Sequence, residues 1–352
     1  MRRARRLGIV GVTLDSRAAC ARPDATQGER KDMTTTTSLL RKAAALAVAA
    51  GLFFTAGCGE APTASGSAAT SDSASSSSSS DLNTANYDAI INAGDVADDA
   101  TVNANAWAKS IKEAGVLKVG GTKTSQLFSL QSTSDNKVRG FDAGLSQLLA
   151  RYILGDAKTE LTVVDSSTRE SVLQNGTVNS VFATYSITDK RKEKISFAGP
   201  YYVSQQAILV AKSNNDITGT DSLAGKKVAV QAGSTGPQIV AQVAPQATVQ
   251  EFQTDAEATQ ALRQGRVDAY VVDQTLQLGT LVKSPNDFKI VGEPFGNKDS
   301  YGIGLPKDSD AAEFVNAWLK KVEEDGTWAK LWQVTIGDRT GVTTVPTPPE
   351  IQ

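Results

Sequence analysis

Two stretches of this chain echo one another. "LQNGTVNSVFAT", Leu173 to Thr184, and "LRQGRVDAYVVD", Leu262 to Asp273, share a helix end, a glycine stop, a valine followed by Asn or Asp, and an apolar strand, 89 residues apart. Each lies behind an earlier strand–helix unit of its own, so the pattern predicts two similar α/β lobes rather than one long sheet. Leu, Gly and Val also serve any αβ junction in this way, which leaves a single open sheet as the alternative.

The neighbouring segments follow the same grammar. "ANAWAKSIKEAG", Ala104 to Gly115, places Trp107 and Ile111 four apart before a glycine stop and predicts a helix, with a strand in "VLKVGG". "GFDAGLSQLLARYILG", Gly140 to Gly155, carries Phe141, Leu145, Leu148, Leu149 and Tyr152 at helical spacing, and "ELTVVD", Glu160 to Asp165, is the next strand. Strand and helix return in Lys226 to Gln231 and Asp255 to Gly265. Alternation of this kind argues for parallel layers.

In open parallel sheets ligands bind beyond the carboxyl ends of the strands. The echoed strands end in Thr184-Tyr185-Ser186 and in Asp273. If both ends face one cleft, one edge supplies hydroxyls and the Arg191 guanidinium, and the other supplies an acid. Arg191 can hold a carboxylate with two parallel hydrogen bonds and Asp273 can take an ammonium, a set that suits a zwitterion. "QAGSTGP", Gln231 to Pro237, places Ser234 and Thr235 before a helix predicted from about Gly236, whose free N–H groups attract an anion. The run "DKRKEK" around Arg191 also reads as a solvated surface turn.

Composition narrows the chemistry. The 352 residues include no histidine, which excludes Ser/His/Asp and Cys/His nucleophile systems and the usual zinc ligands. The two cysteines, Cys20 and Cys58, lie in the first sixth of the chain, so no structural disulfide or CxxC site is expected in the folded part, and no cofactor or metal is implied. Residues 1–57 hold 10 of the 36 basic and 4 of the 38 acidic residues, leaving the remainder at a net charge of −8, the wrong sign for nucleic acid.

The N-terminus reads as an export signal. Arg41 and Lys42 precede the apolar run Ala43 to Phe54, then "TAGC". The run is shorter than the roughly 20 residues that span a bilayer. This arrangement resembles a bacterial lipobox, in which Cys58 is lipidated and becomes the new N-terminus, although Thr55 stands where leucine is usual. Residues 1–32 precede a normal-looking start at Met33 and are expected to carry no fold. After Cys58, "GEAPTASGSAATSDSASSSSSSD" has almost nothing to bury and reads as a tether. A flexible chain of about 24 residues reaches roughly 25 to 30 Å.

"GFDAGLSQLLARY", "RESVLQNGTVNSVFATYSITDKRKEKISFAGPYYVSQQAILV", "GKKVAVQAGST" and "GRVDAYVVD" resemble the extracellular amino-acid-binding proteins of ABC transporters, solute-binding protein family 3, and especially the glutamate-binding lipoproteins. The similarity covers about residues 104–340. It implies a two-lobed, clamshell, type II periplasmic-binding-protein fold hinged by two crossing strands near Ala207 to Ser213 and Lys298 to Leu305. The organisation expected is a signal segment at 1–57, a tether and lead-in at 58–103, lobe one at 104–208 and 300–352, and lobe two at 209–299. Phe314, Trp318, Trp328 and Trp332 would be core.

The resemblance also assigns roles. Arg191 matches the clamp on the ligand α-carboxylate, with Thr184 and Ser186 as partners; Ser234 and Thr235 match contacts from the second lobe; Asp273 matches the acid that holds the α-ammonium. Ser166 and Arg169 fall where acidic-amino-acid binders hold the side-chain carboxylate, with Lys123 in the loop after the first strand. Thr122 replaces an acid and Ser166 an aromatic lid common in relatives, so Tyr185 or Phe128 would cover the ligand. Three cations around one cleft imply glutamate or aspartate.

The expectation is therefore a lipid-anchored monomer on the extracellular face that closes around an amino acid and delivers it to a permease, with no turnover. The ATPase would be another chain, because "GTDSLAGKK" has the wrong spacing for a phosphate loop and Lys227 where Ser or Thr is required. The alternatives are a binder of a neutral polar amino acid such as glutamine, a dehydratase-like enzyme using Glu170 near Arg191, or a sensor acting through a partner.

Overall fold

A computed structural model describes residues 81–352 of the chain. The signal segment, Cys20, Cys58 and the serine-rich tether lie outside the described residues. The strands are β1 (Leu117–Gly121), β2 (Thr124–Ser125), β3 (Ser129–Gln131), β4 (Val138–Arg139), β5 (Thr159–Val163), β6 (Ser180–Val181), β7 (Ser196–Ala211), β8 (Lys227–Gln231), β9 (Thr248–Phe252), β10 (Ala269–Asp273) and β11 (Phe288–Leu305). Eight of them form one hydrogen-bonded series in the order β5-β1-β6-β11-β7-β10-β8-β9, and β2-β3-β4 make a small separate sheet.

The echo in the sequence is an echo in topology. β1 pairs in parallel with β5 on one side and β6 on the other, and β8 pairs in parallel with β9 and β10. Each half thus repeats one three-stranded unit, with β6 and β10 in corresponding inner positions. The long strands β7 and β11 run antiparallel and join the two units into two lobes. Their ladder shifts register between Val291 and Phe295, between Phe295 and Asp299, and between Tyr301 and Ile303. These interruptions begin earlier in β11 than the hinge expected at Lys298 to Leu305. Sequence periodicity places a long apolar strand but carries no mark of where its ladder slips.

The first lobe has its core beneath the helices Ala106–Ala114, Phe141–Leu154, Ala311–Glu324 and Thr327–Trp332. Asn105 caps the first of these by accepting from the Ala108 N–H at 2.9 Å, and Gly115 ends it at φ +68°, where a side chain would be strained. Phe314, Trp318, Trp328 and Trp332 are buried, and Trp328 Nε1 donates to the Tyr201 carbonyl at 3.0 Å, which ties the last helices to β7. The second lobe covers its sheet on both faces. Ile208, Val210, Val228, Val230 and Val271 pack on one side, and Leu209, Ala229, Tyr270 and Val272 on the other, the alternation expected of strands with period two.

One boundary needs correction. The folded unit begins well before residue 104: the helix Thr84–Ala93 buries Tyr87 and Ile91 in the first core, and Asn83 caps it. Tyr87 donates its hydroxyl to Gln147 Oε1 at 3.0 Å. Only two of its ten residues are buried, so its pattern blends into the polar tract before it. Among the described residues no helix is long and apolar enough to cross a membrane.

Candidate ligand site

The segment Phe182 to Arg191 owes its composition to what surrounds it. Phe182 and Ala183 are buried just past β6, and Thr184 turns the chain at φ +44°, a conformation that costs a residue with a Cβ. Two side chains hold that turn. Asp142 Oδ2 accepts from the Thr184 N–H at 2.8 Å, and Arg169 Nη1 donates to the carbonyls of Ala183 at 2.7 Å and Thr184 at 3.3 Å. Ser186 bridges to Tyr301 of β11. Thr188 caps the single turn Asp189–Lys192, which aims Arg191 back toward the strand end.

Two guanidinium groups then meet one ring. The Arg169 and Arg191 carbons lie 4.1 and 5.0 Å from the centre of the Tyr185 ring, whose π-face offsets part of the repulsion between them. Tyr185 is fully buried beneath them against Phe197, so it is a platform and not the expected cover over the ligand. Its phenol is pushed up to about 12 by burial. Arg169 is 3% exposed, its Nε is buried without an acceptor, and burial followed by Arg191 lowers its ionisation to about 10, which leaves it charged at neutral pH.

A cavity of about 450 Å³ opens in front of Arg169. Of the residues singled out in the sequence, Thr122, Lys123, Phe128, Ser166, Arg169 and Thr184 line it, with Phe128 almost wholly buried against Tyr202 and Phe141. The expected ring of three cations is corrected: Arg191 is not in this wall, and Asp142, Asp165 and Asp255 are. Burial raises Asp142 to about 7, opposed by the 2.7 Å bond from the Tyr201 hydroxyl, and raises Asp255 to about 6. Glu170 does not pair with Arg191; it accepts from Lys194 at 2.6 Å.

Ser186, Arg191, Ser234, Thr235 and Asp273 are not among the residues that line this cavity. Arg191 donates to the Ser186 carbonyl at 2.7 Å and, across the cleft, to the Gly233 carbonyl at 2.9 Å. Ser234 caps its own turn by donating to the Gln231 carbonyl and accepting from the Gly236 N–H. Thr235 donates to Asp299 Oδ2 at 2.8 Å. Asp273 accepts from Gln206 Nε2 and, at 2.6 Å, from the Tyr301 hydroxyl. Arg191 therefore reaches the loop Gln231 to Pro237 directly, whereas Asp273 is held by Gln206 of β7 and Tyr301 of β11. Asp273 is raised to about 8, first by burial and then by Asp299.

Sequence reasoning missed Asp142, Gln206, Asp299 and Tyr301. Gln206 left a signal, an amide at the start of the apolar run of β7; Asp142, between Phe141 and Ala143, passes for an ordinary helix-start acid, and Asp299 sits in the polar run Asn297 to Ser300 and left none. The described residues contain no cluster of three or more potential metal ligands.

Comparison with known proteins agrees with this architecture. The glutamine-binding protein GlnH of an ABC transporter in Bacillus subtilis strain 168 is 34% identical over 227 residues, covering 64% of this chain and 82% of that protein. The glutamate-binding protein GluB of Corynebacterium efficiens is 33% identical over 243 residues, 66% of this chain and 82% of its own length. A solved ancestral arginine-binding protein, bound to glutamine, superposes with a TM-score of 0.59 at 36% identity, covering 63% of this chain and 98% of that one. The family model for bacterial extracellular solute-binding proteins, family 3, matches residues 117–337, and the chain belongs to that family.

Proposed function

We propose that this protein captures an amino acid outside the cell and delivers it to the permease subunits of an ABC transporter driven by a separate ATPase chain, with an acidic ligand, L-glutamate or L-aspartate, preferred. The observation that carries the acidic preference is Arg169, a buried guanidinium in the cavity wall with an unpartnered Nε, accompanied by Lys123 in the same wall. A buried cation without a counter-ion is costly, and a ligand carboxylate relieves that cost. Arg191 and the loop at Ser234 and Thr235 take the α-carboxylate, Asp273 takes the α-ammonium, and closure of the lobes joins the two halves of the site. Lipidation of Cys58 holds the monomeric protein at the extracellular face.

Glutamine is the second reading. Asp142, Asp165 and Asp255 share the cavity wall with the two cations, and the relatives named above include a glutamine binder and a glutamate binder. Calorimetry with glutamate, aspartate and glutamine separates the two: at least tenfold tighter binding of an acid supports the first, and equal affinities move the ligand to a neutral amino acid. Mass spectrometry after incubation with the bound ligand checks for turnover, and a new product would replace binding by catalysis. Cys58→Ala releases the protein into the medium if the anchor is a lipid on that residue.

A further inference from the structure

The cleft does not end at the cavity in front of Arg169. A second chamber of about 290 Å³ continues from it, and Lys123, Thr124, Ser125, Asp255 and Leu276 line both. Its other walls come largely from the helices Asp255–Arg263 and Gln274–Lys283 of the second lobe, with Gln126 and Leu130 of the first lobe opposite.

The balance of charge reverses along this path. The first chamber sets Asp142, Asp165 and Asp255 against Lys123 and Arg169, and the second sets Lys123, Arg263 and Lys283 against Asp255 alone. Arg263 is already neutralised, donating to Asp287 Oδ2 at 3.1 Å and to the Ser284 hydroxyl at 3.0 Å. The two lysines are not. Among the described residues neither Lys123 nor Lys283 has a carboxylate within ion-pair distance. Asp255 senses Lys283 only through space and accepts from the Tyr270 hydroxyl at 3.0 Å. The same wall carries an unspent hydrogen-bonding group: Thr259 is 8% exposed, and its Oγ1 is buried without a partner. A buried hydroxyl left unpaired is costly, and a ligand group that pairs with it recovers that cost.

We propose that the two chambers together hold an amino acid whose side chain is lengthened through an amide and ends in a second carboxylate, a ligand of the γ-glutamyl dipeptide class, with the distal carboxylate at Lys123 and Lys283 and the amide beside Thr259. A hydroxyl can donate to an amide carbonyl or accept from its N–H, so Thr259 suits that group in either orientation. Free glutamate uses the first chamber and leaves the second to solvent. The inference rests on the reading of the site as an amino-acid pocket and names a longer ligand for it.

The test is calorimetry of the whole protein with L-glutamate, γ-L-glutamylglycine and γ-L-glutamylglycinamide, the last of which lacks only the distal charge. The dipeptide acid should bind at least fivefold tighter than its amide, the scale of a partly exposed charge pair. Lys283→Met should at least halve that ratio, and Thr259→Val should weaken both dipeptides several-fold, with glutamate affinity the same in both variants. Lys283 is an exposed residue at a helix end, so its substitution leaves the core untouched. Equal affinities for the acid and the amide, or an acid-to-amide ratio that Lys283→Met leaves as it was, overturn the second chamber as a carboxylate site. Binding of glutamate without binding of either dipeptide overturns the longer ligand and leaves the amino-acid pocket standing. Absence of heat with all three compounds and with all twenty amino acids overturns the pocket reading and the inference with it.

Discussion

Arg191 donates across the cleft to the carbonyl of Gly233 at 2.9 Å, so the residue that ends the hydroxyl-rich segment of one lobe is anchored on the loop Gln231 to Pro237 of the other. That contact gives a specific role to the guanidinium in the turn Asp189–Lys192, between β6 and β7. Its planar fork serves two acceptors at once, Ser186 within its own lobe and Gly233 opposite, which an ammonium point charge would not do with the same geometry. The bond also gives closure a specific partner, because it exists only when the lobes meet.

Arg191→Ala removes both bonds. It should weaken amino-acid binding by well over tenfold, in line with roughly 2 to 5 kcal/mol for truncating one member of a buried charged contact. Arg191→Lys should recover part of the loss at most. Calorimetry checks this, and unchanged affinity in the alanine variant would take Arg191 out of the site.

Gly233 itself is at φ +71°, and a Cβ there would come within 2.9 Å of the Ser167 backbone and 3.0 Å of Ser166 on the facing lobe. Gly233→Ala should therefore prop the cleft open as well as strain the turn, by about 1 to 2 kcal/mol for a side chain in the left-handed region. The expected outcome is roughly tenfold weaker binding and a larger radius of gyration with ligand in small-angle scattering. Closure to the same radius would show that the loop yields instead.

Arg169→Gln keeps a donor for the Ala183 carbonyl and removes the charge. Glutamate affinity should fall at least tenfold, while glutamine affinity changes by less than about threefold, because only the acid loses an ionic partner. Parallel loss for both ligands would assign Arg169 to holding the Thr184 turn rather than to discrimination.

The sequence carried the secondary structure and the duplication because both rest on local periodicity. The helix Phe141–Leu154 follows from its apolar spacing, and β6 and β10 begin at 180 and 269, the spacing of the echo. The residues brought into the cavity, from Thr122 to Thr184, lie at strand ends where that grammar places ligand contacts. What stayed hidden depends on long-range packing. Asp142 reads as an acid in the first turn of a helix, a favourable place for the macrodipole. Only the fold sets its carboxyl under Thr184 and against Tyr201. Asp299 acquires its neighbour through a slip in the β7–β11 ladder that no local pattern encodes.

The N-terminal helix makes the corrected boundary testable. Tyr87 is 1% exposed in the first core, and Tyr87→Ala should cost about 3 to 5 kcal/mol, the range for emptying an aromatic site. A chain starting at residue 104 should unfold at markedly lower urea concentration than one starting at 81. Equal midpoints would make the helix a dispensable strap.

Stability of the ligand-free protein should decline as pH rises through neutrality. Burial raises Asp142 to about 7 and Asp255 to about 6 in the fold, against about 3.9 in an unfolded chain. A raised value means the fold prefers the protonated acid. The associated stability is complete below about pH 3.9 and is lost as pH climbs through 6 and 7, at up to about 1.4 kcal/mol per pH unit for each group in its window. Asp273, raised to about 8, acts in the same direction. Asp88, Asp135 and Asp165 are lowered instead, Asp88 and Asp135 chiefly by hydrogen bonds, so their contributions fade only in acid and do not offset the trend above pH 5. Urea midpoints measured from about pH 5 to 8 should fall, and Asp142→Asn should flatten the portion between about 5 and 7. A rising midpoint across that range would mean that these carboxyls ionise freely in the fold and are hydrated.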